Sequence, residues 1–152
     1  MTIAHCVRSG PRVFVGLVLI VTGTAKVLDL DGFVAVVSSY QLVAGAMAGV
    51  IGYLLPVLEI TLGSWLLAGF RLRLSAWLAV AMHAFYFGIA GISLWRGIDI
   101  PNCGCFGVFF ARPLGIDTLF EDAVMIALSG LIVIQAGKPP RNRWSHSQES
   151  DR

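Results

Sequence analysis

The chain has 152 residues, of which 57% are hydrophobic and only 13% charged. Soluble domains carry roughly a quarter of their residues as charges, so a chain this short holds too much apolar surface to hide from water. The net charge of +2 is too small to point to nucleic acid, and lipid is the expected solvent.

In chain order, residues 1–12 and the apolar run after them resemble the first two regions of a signal peptide, with small residues at 22–25 where cleavage would fall. The later apolar segments favour an uncleaved first helix. Crossing a hydrocarbon core takes about 20 helical residues. Four runs are long enough: residues 13–30, 43–69, 74–95 and 119–137. Backbone groups in lipid must be satisfied within their own segment, so each run is expected to be a helix. The expectation is an all-α membrane protein, a four-transmembrane-helix bundle forming one domain over residues 1–137. Between the first two runs, Phe33, Val36, Val37 and Tyr40 fall on one face of a short amphipathic helix, expected in the outer interface. Its alternative is an extension of the second run. Residues 138–152 are polar, basic and proline-bearing, and read as a disordered cytoplasmic tail.

Lysine and arginine placement sets orientation. With the N-terminus inside, Arg8, Arg12, Arg71, Arg73, Lys138, Arg141, Arg143 and Arg152 are cytoplasmic, against Lys26, Arg96 and Arg112 outside. Both termini then face the cytoplasm of a cell (inner) membrane, and residues 96–118 form an outer loop. Trp65 and Trp77 fall near the inner boundary and Trp95 near the outer one. Small residues predict close helix packing: Gly16 and Gly23, the Gly45–Gly49 pair, the Gly52–Gly63 stripe, and Gly88 with Gly91.

Glu59 lies one turn beyond Pro56, near mid-membrane. An ionisable group at that depth is a functional-site hypothesis. Its partner is expected to be Lys26 or His83. The pair would serve a proton site or a quinone headgroup, or else lock the packing while Lys26 snorkels outward and His83 is a hydrogen-bonded interior histidine. Thr118 and Glu121 have capping-box spacing. Asp122 would favour the helix N-terminus, and either acid, lying under the outer loop, could accept a thiol proton.

The polar stretch from Asn102 to Gly107 holds Cys103 and Cys105. On the outer face the compartment is oxidising, where disulfides persist. Cys-Gly-Cys closes almost no loop, so it is a poor staple and a better exchange site. Gly104 and Gly107 give the turns their freedom, and Phe106 sits between them. Two thiolates lack the four ligands of a structural zinc site, so no metal is expected. Cys6 is expected across the bilayer and cannot resolve this pair. Electrons must pass to a partner protein or to a cofactor such as a quinone.

Gly23-Thr-Ala-Lys26 with Asp29, Tyr40, Leu55-Pro56-Val-Leu-Glu59 with Gly63, and Asn102-Cys-Gly-Cys-Phe-Gly107 occur in this order. With them the chain resembles the MauE family of methylamine utilisation proteins, within the broader DoxX-like group of four-helix membrane proteins. The resemblance implies a role in maturing methylamine dehydrogenase, whose small subunit is secreted, disulfide-rich and carries a tryptophan-derived quinone. It also implies a periplasmic thioredoxin-like partner, MauD. Beside membrane lipid, the expected partners are therefore that protein and a secreted client. Two other readings stay open: a quinol-binding DoxX-like oxidoreductase subunit using Lys26 or Glu59, and a non-redox assembly scaffold docking through Phe106 and Gly107.

Overall fold

The computed structural model describes residues 3–43 and 45–137. The tail expected over residues 138–152, and the Cys6 side chain, lie outside what is described. The described residues form five helices and no strand: α1 (Ile3–Val27), α2 (Leu30–Ser39), α3 (Ala46–Ala68), α4 (Leu72–Trp95) and α5 (Ile116–Ala136). Four segments are long and apolar enough to cross a membrane: Ser9–Val27, Ala46–Ala68, Leu72–Trp95 and Ile116–Ala136. The short amphipathic segment is a separate helix, α2, and not an extension of α3.

The helix ends have local causes. α1 stops at Val27 because Asp29 starts the next helix, its Oδ1 accepting the Gly32 N–H at 2.9 Å. The fourth span begins at Ile116, three residues before the apolar run, with Gly115 as its cap. The capping box is therefore not formed. Thr118 sits inside the first turn with its Oγ1 buried and without a partner. Glu121 instead binds Arg112, Nη1 to Oε1 at 2.7 Å. A two-pronged guanidinium–carboxylate pair outcompetes a single bond to a backbone N–H.

The bundle turns large apolar side chains outward and buries several polar ones among its apolar core. Phe14, Leu17, Val21, Leu54, Val57 and Ile134 are exposed, while Lys26, Glu59, Ser75, His83 and Ser129 are buried. α1 and α3 meet backbone to backbone. A methyl group at Gly63 would stand 2.7 Å from the Gly16 carbonyl oxygen, and one at Gly23 would stand 2.9 Å from that of Pro56. Gly52 plays the same part under α2, against Val34. Gly45, Gly49 and Gly88 do not, because they have open space around them, and Gly91 meets its neighbour Leu119 only at 3.9 Å.

Two extensive pairs, α1 with α3 and α4 with α5, build the bundle. α2 packs on α3 and α1 touches α5, while the α1 and α4 backbones stay apart among the described residues. An apolar core of Val15, Leu19, Leu62, Leu66, Ala79 and Ile132 joins the pairs over one half of their length. That half carries the α3–α4 turn, where Arg71 and Trp77 lie by Ala136 and Arg12 lies by Gly69. In the other half the pairs part around a cavity, roofed by α2 and the 96–115 loop.

Candidate functional site

The loop is pinned from several directions. Its two arms are tied by Leu114 N–H to Ile100 O and Cys103 N–H to Arg112 O, each 2.9 Å. Asn102 closes the turn between them: its Oδ1 accepts the Gly104 N–H at 2.9 Å and its Nδ2 donates to Gly107 O at 3.1 Å. Tyr40, at the end of α2, donates its hydroxyl to Cys103 O at 2.6 Å. Gly104 and Gly107 have φ of 76° and 64°, a left-handed conformation open to glycine at no steric cost. A side chain at Gly104 would collide with Val36, and one at Gly107 would stand 2.8 Å from Ala25 O. The loop therefore rests on α2 and on the end of α1. Phe106 meets Phe110 edge to face, centroids 6.3 Å apart.

This seat holds the Cys103 and Cys105 sulfurs face to face, 2.8 Å apart. Both are free thiols. They are not equivalent. Cys103 is 7% exposed, whereas Cys105 is half-buried. The Cys105 S–H hydrogen bond lowers the Cys103 thiol from 9.0 to about 6, assisted by the Cys105 backbone N–H and the Arg112 guanidinium and opposed by burial. Donating that bond, and burial, push the Cys105 thiol up. Glu121 grips Arg112 from the far side and raises its pKa in turn. Asp122 faces the same sulfurs.

Beneath the loop, Lys26 Nζ lies 2.6 and 2.8 Å from the two Glu59 carboxylate oxygens. The two residues are 3% and 1% exposed. Tyr86 of α4 donates its hydroxyl to Glu59 Oε1 at 2.6 Å. The Phe33 and Tyr86 rings lie 5.4 and 5.5 Å from the ammonium. Of the two partners open to Glu59, the structure selects Lys26, which does not snorkel outward, because a carboxylate is the stronger acceptor within its reach. His83 is an interior histidine: Nδ1 lies 2.7 Å from Ala79 O and 3.4 Å from Ser129 Oγ.

A cavity of about 700 Å³ connects the two assemblies. Its walls are mainly apolar. Lys26, Glu59, His83 and Tyr86 line its floor, and Cys103, Cys105, Thr118 and Asp122 its upper part. Among the described residues no cluster of three or more His, Cys, Asp or Glu could hold a metal ion.

Every singled-out residue thus has a hydrogen bond, a close contact or a wall of this one site, Phe106 and Glu121 among the cavity walls. The sequence placed Tyr40 only on the amphipathic face and in the family pattern, and gave no site role to Tyr86 or Arg112. Tyr86 lies three residues from His83 on the same helix face, which was the available signal. Arg112 entered only as a topology charge.

Four membrane-length helices around a mainly apolar cavity that holds a few buried polar groups, roofed by a dithiol loop, define a multi-pass membrane protein with a thiol site at one end. Residues 4–135 match the family described as Methylamine utilisation protein MauE. The chain belongs to that family. It is 23% identical over 128 residues to the methylamine utilization protein MauE of Paracoccus denitrificans, covering 84% of this chain and 68% of that protein. No solved structure matches it.

Proposed function

We propose that this protein oxidises the dithiol of a thioredoxin-like partner on the outer face of the cell membrane. It would thereby support disulfide formation in a secreted client such as the methylamine dehydrogenase small subunit. The observation that carries the reading is the asymmetry of the two facing sulfurs: Cys103 is buried with its thiol lowered to about 6, and Cys105 is half-buried with its thiol pushed up. In the disulfide form, a partner thiolate attacks the more exposed Cys105 Sγ. The Cys103–Cys105 bond breaks and Cys103 leaves as the thiolate that Arg112 and the Cys105 backbone N–H stabilise. A low-pKa thiol leaves faster, and a stabilised reduced form makes the pair more oxidising. The partner's second thiolate then attacks its own sulfur in the mixed disulfide and releases Cys105, which takes up a proton. The partner has lost two electrons and this dithiol has gained them.

The eight-to-three distribution of lysine and arginine supports an outer position for the loop and cytoplasmic termini. A membrane-impermeant maleimide applied to intact cells, with and without reductant, tests the location. Cys103→Ser and Cys105→Ser test the chemistry. Each single variant and the double variant should abolish client disulfides. Wild-type maturation in the double variant, or labelling only after permeabilisation, refutes the proposal.

A further inference from the structure

The exchange just proposed leaves the dithiol reduced, and the described residues contain no second cysteine pair to reoxidise it. The cavity beneath it has features that a passive packing gap would lack. Thr118 Oγ1, on a residue 2% exposed, has no hydrogen-bond partner and borders the cavity. Lys26 uses two bonds on Glu59 and has a third N–H to give. His83 donates Nδ1–H to Ala79 O, which leaves Nε2 as an acceptor. Phe14, Phe85 and Phe120 at the cavity's edge are exposed on the lipid-facing surface. The volume of about 700 Å³ falls within the range of about 300–1,000 Å³ typical of small-molecule sites.

We propose that this cavity binds a lipid-soluble quinone, with the Thr118 hydroxyl and the Lys26 ammonium donating to its carbonyl oxygens and the apolar walls taking its tail, and that the quinone accepts the electrons of Cys103 and Cys105. The proposal rests on the dithiol exchange above. An acyl chain would fill the walls but leave Thr118 unpaired. A quinone satisfies it and is also a two-electron oxidant.

The balance closes. The Cys103 Sγ–Cys105 Sγ bond forms and the Cys105 S–H bond breaks. Two electrons leave the sulfurs for the quinone, which becomes a hydroquinone. Two protons reach its oxygens: the one released by Cys105, passed through Asp122 beside the sulfurs, and one from the outer solvent that replaces the proton Cys103 had already lost. His83 Nε2 is placed to accept a hydrogen bond from the hydroquinone and not from the quinone, so the product's protons find a partner that the substrate lacks.

Ubiquinone-1 is the probe, titrated calorimetrically into the purified full-length chain in lipid nanodiscs. Wild type should bind it saturably. Thr118→Val, of nearly equal shape, should weaken binding about tenfold, the equivalent of one lost hydrogen bond. Ile89→Trp, which fills the cavity from α4, should abolish it. Anaerobic mixing with reduced wild type should yield one hydroquinone and consume two thiols per chain. The inference falls if wild type shows no saturable binding, if neither cavity variant changes it, or if a tightly held phospholipid is not displaced by the probe. The two proposals fail separately. Absent ubiquinone-1 binding with client disulfides lost in the serine variants overturns the quinone site alone. Intact client disulfides in those variants overturn the exchange role, whatever the probe does.

Discussion

Lys26 and Glu59 form an ion pair buried between α1 and α3. Each charge is almost fully removed from solvent, and the carboxylate takes two bonds from Lys26 and one from Tyr86. Desolvating two ions costs several kcal/mol each, which good geometry and added hydrogen bonds offset. Removing one partner leaves the other charge uncompensated. Lys26→Met and Glu59→Gln should each destabilise by about 3–5 kcal/mol. Tyr86→Phe removes one bond to a charged acceptor and should cost about 1.5–3 kcal/mol. The Lys26→Met/Glu59→Leu double variant removes both charges and should cost far less than the sum of the two single changes. Unfolding in mixed micelles with increasing sodium dodecyl sulfate, followed by circular dichroism, measures all four. Neutral hydrogen bonds between membrane helices average about 0.6 kcal/mol, so the contrast is resolvable. Single variants costing under about 1 kcal/mol, with additive effects in the double, would refute a compensated buried ion pair.

Two further predictions concern the loop. The rate of Cys103 alkylation by iodoacetamide should rise through pH about 6 instead of near 9.0, because the thiolate is the nucleophile and its hydrogen-bond partners favour it. Cys105→Ala should move that inflection upward most, since the Cys105 S–H is the leading cause, and Arg112→Gln should move it upward less; a wild-type inflection near 9.0 sinks the assignment. Gly107→Ala forces a left-handed residue, at about 1–2 kcal/mol, against the Ala25 carbonyl; it should lift the loop, increase Cys103 alkylation several-fold and leave the helix content seen by circular dichroism unchanged.

Much of the fold was legible because lipid imposes simple rules. Four apolar runs gave four spans, and the periodicity of Phe33, Val36, Val37 and Tyr40 gave α2. Helix ends were less legible, since they turned on single caps such as Asp29 and on the competition between Arg112 and a backbone N–H for Glu121. Glycine patterns were ambiguous. Gly16, Gly23 and Gly63 sit at the α1–α3 contact while Gly49 and Gly88 face open space, and no spacing rule separates the two sets. The pairing of Lys26 with Glu59 could be narrowed to two choices, but selecting one required the relative rotation of α1, α3 and α4. Arg112 was invisible as a site residue because its partner lies 9 positions away in the chain, and Tyr86, whose partner lies 27 away, had only its spacing from His83 to mark it.

Three motifs that lie far apart in sequence meet at one junction. Gly107, at the end of the Asn102–Gly107 loop, sits against the backbone of Ala25 and Lys26. Lys26 binds Glu59, and Gly23 of the same helix packs on Pro56 and Glu59. The residue that supports the dithiol loop is thus next to the residue that supplies the buried charge. Moving α1 relative to α3 by the width of a methyl group would disturb the ion pair and the loop seat together. A buried ion pair is weak evidence for stability, because apolar side chains of similar volume can do as well. Its retention here is better explained by position: Lys26, Glu59 and Tyr86 fix α1, α3 and α4 at one depth and one rotation. That constraint keeps the Cys103 and Cys105 sulfurs above the cavity instead of against closed helices.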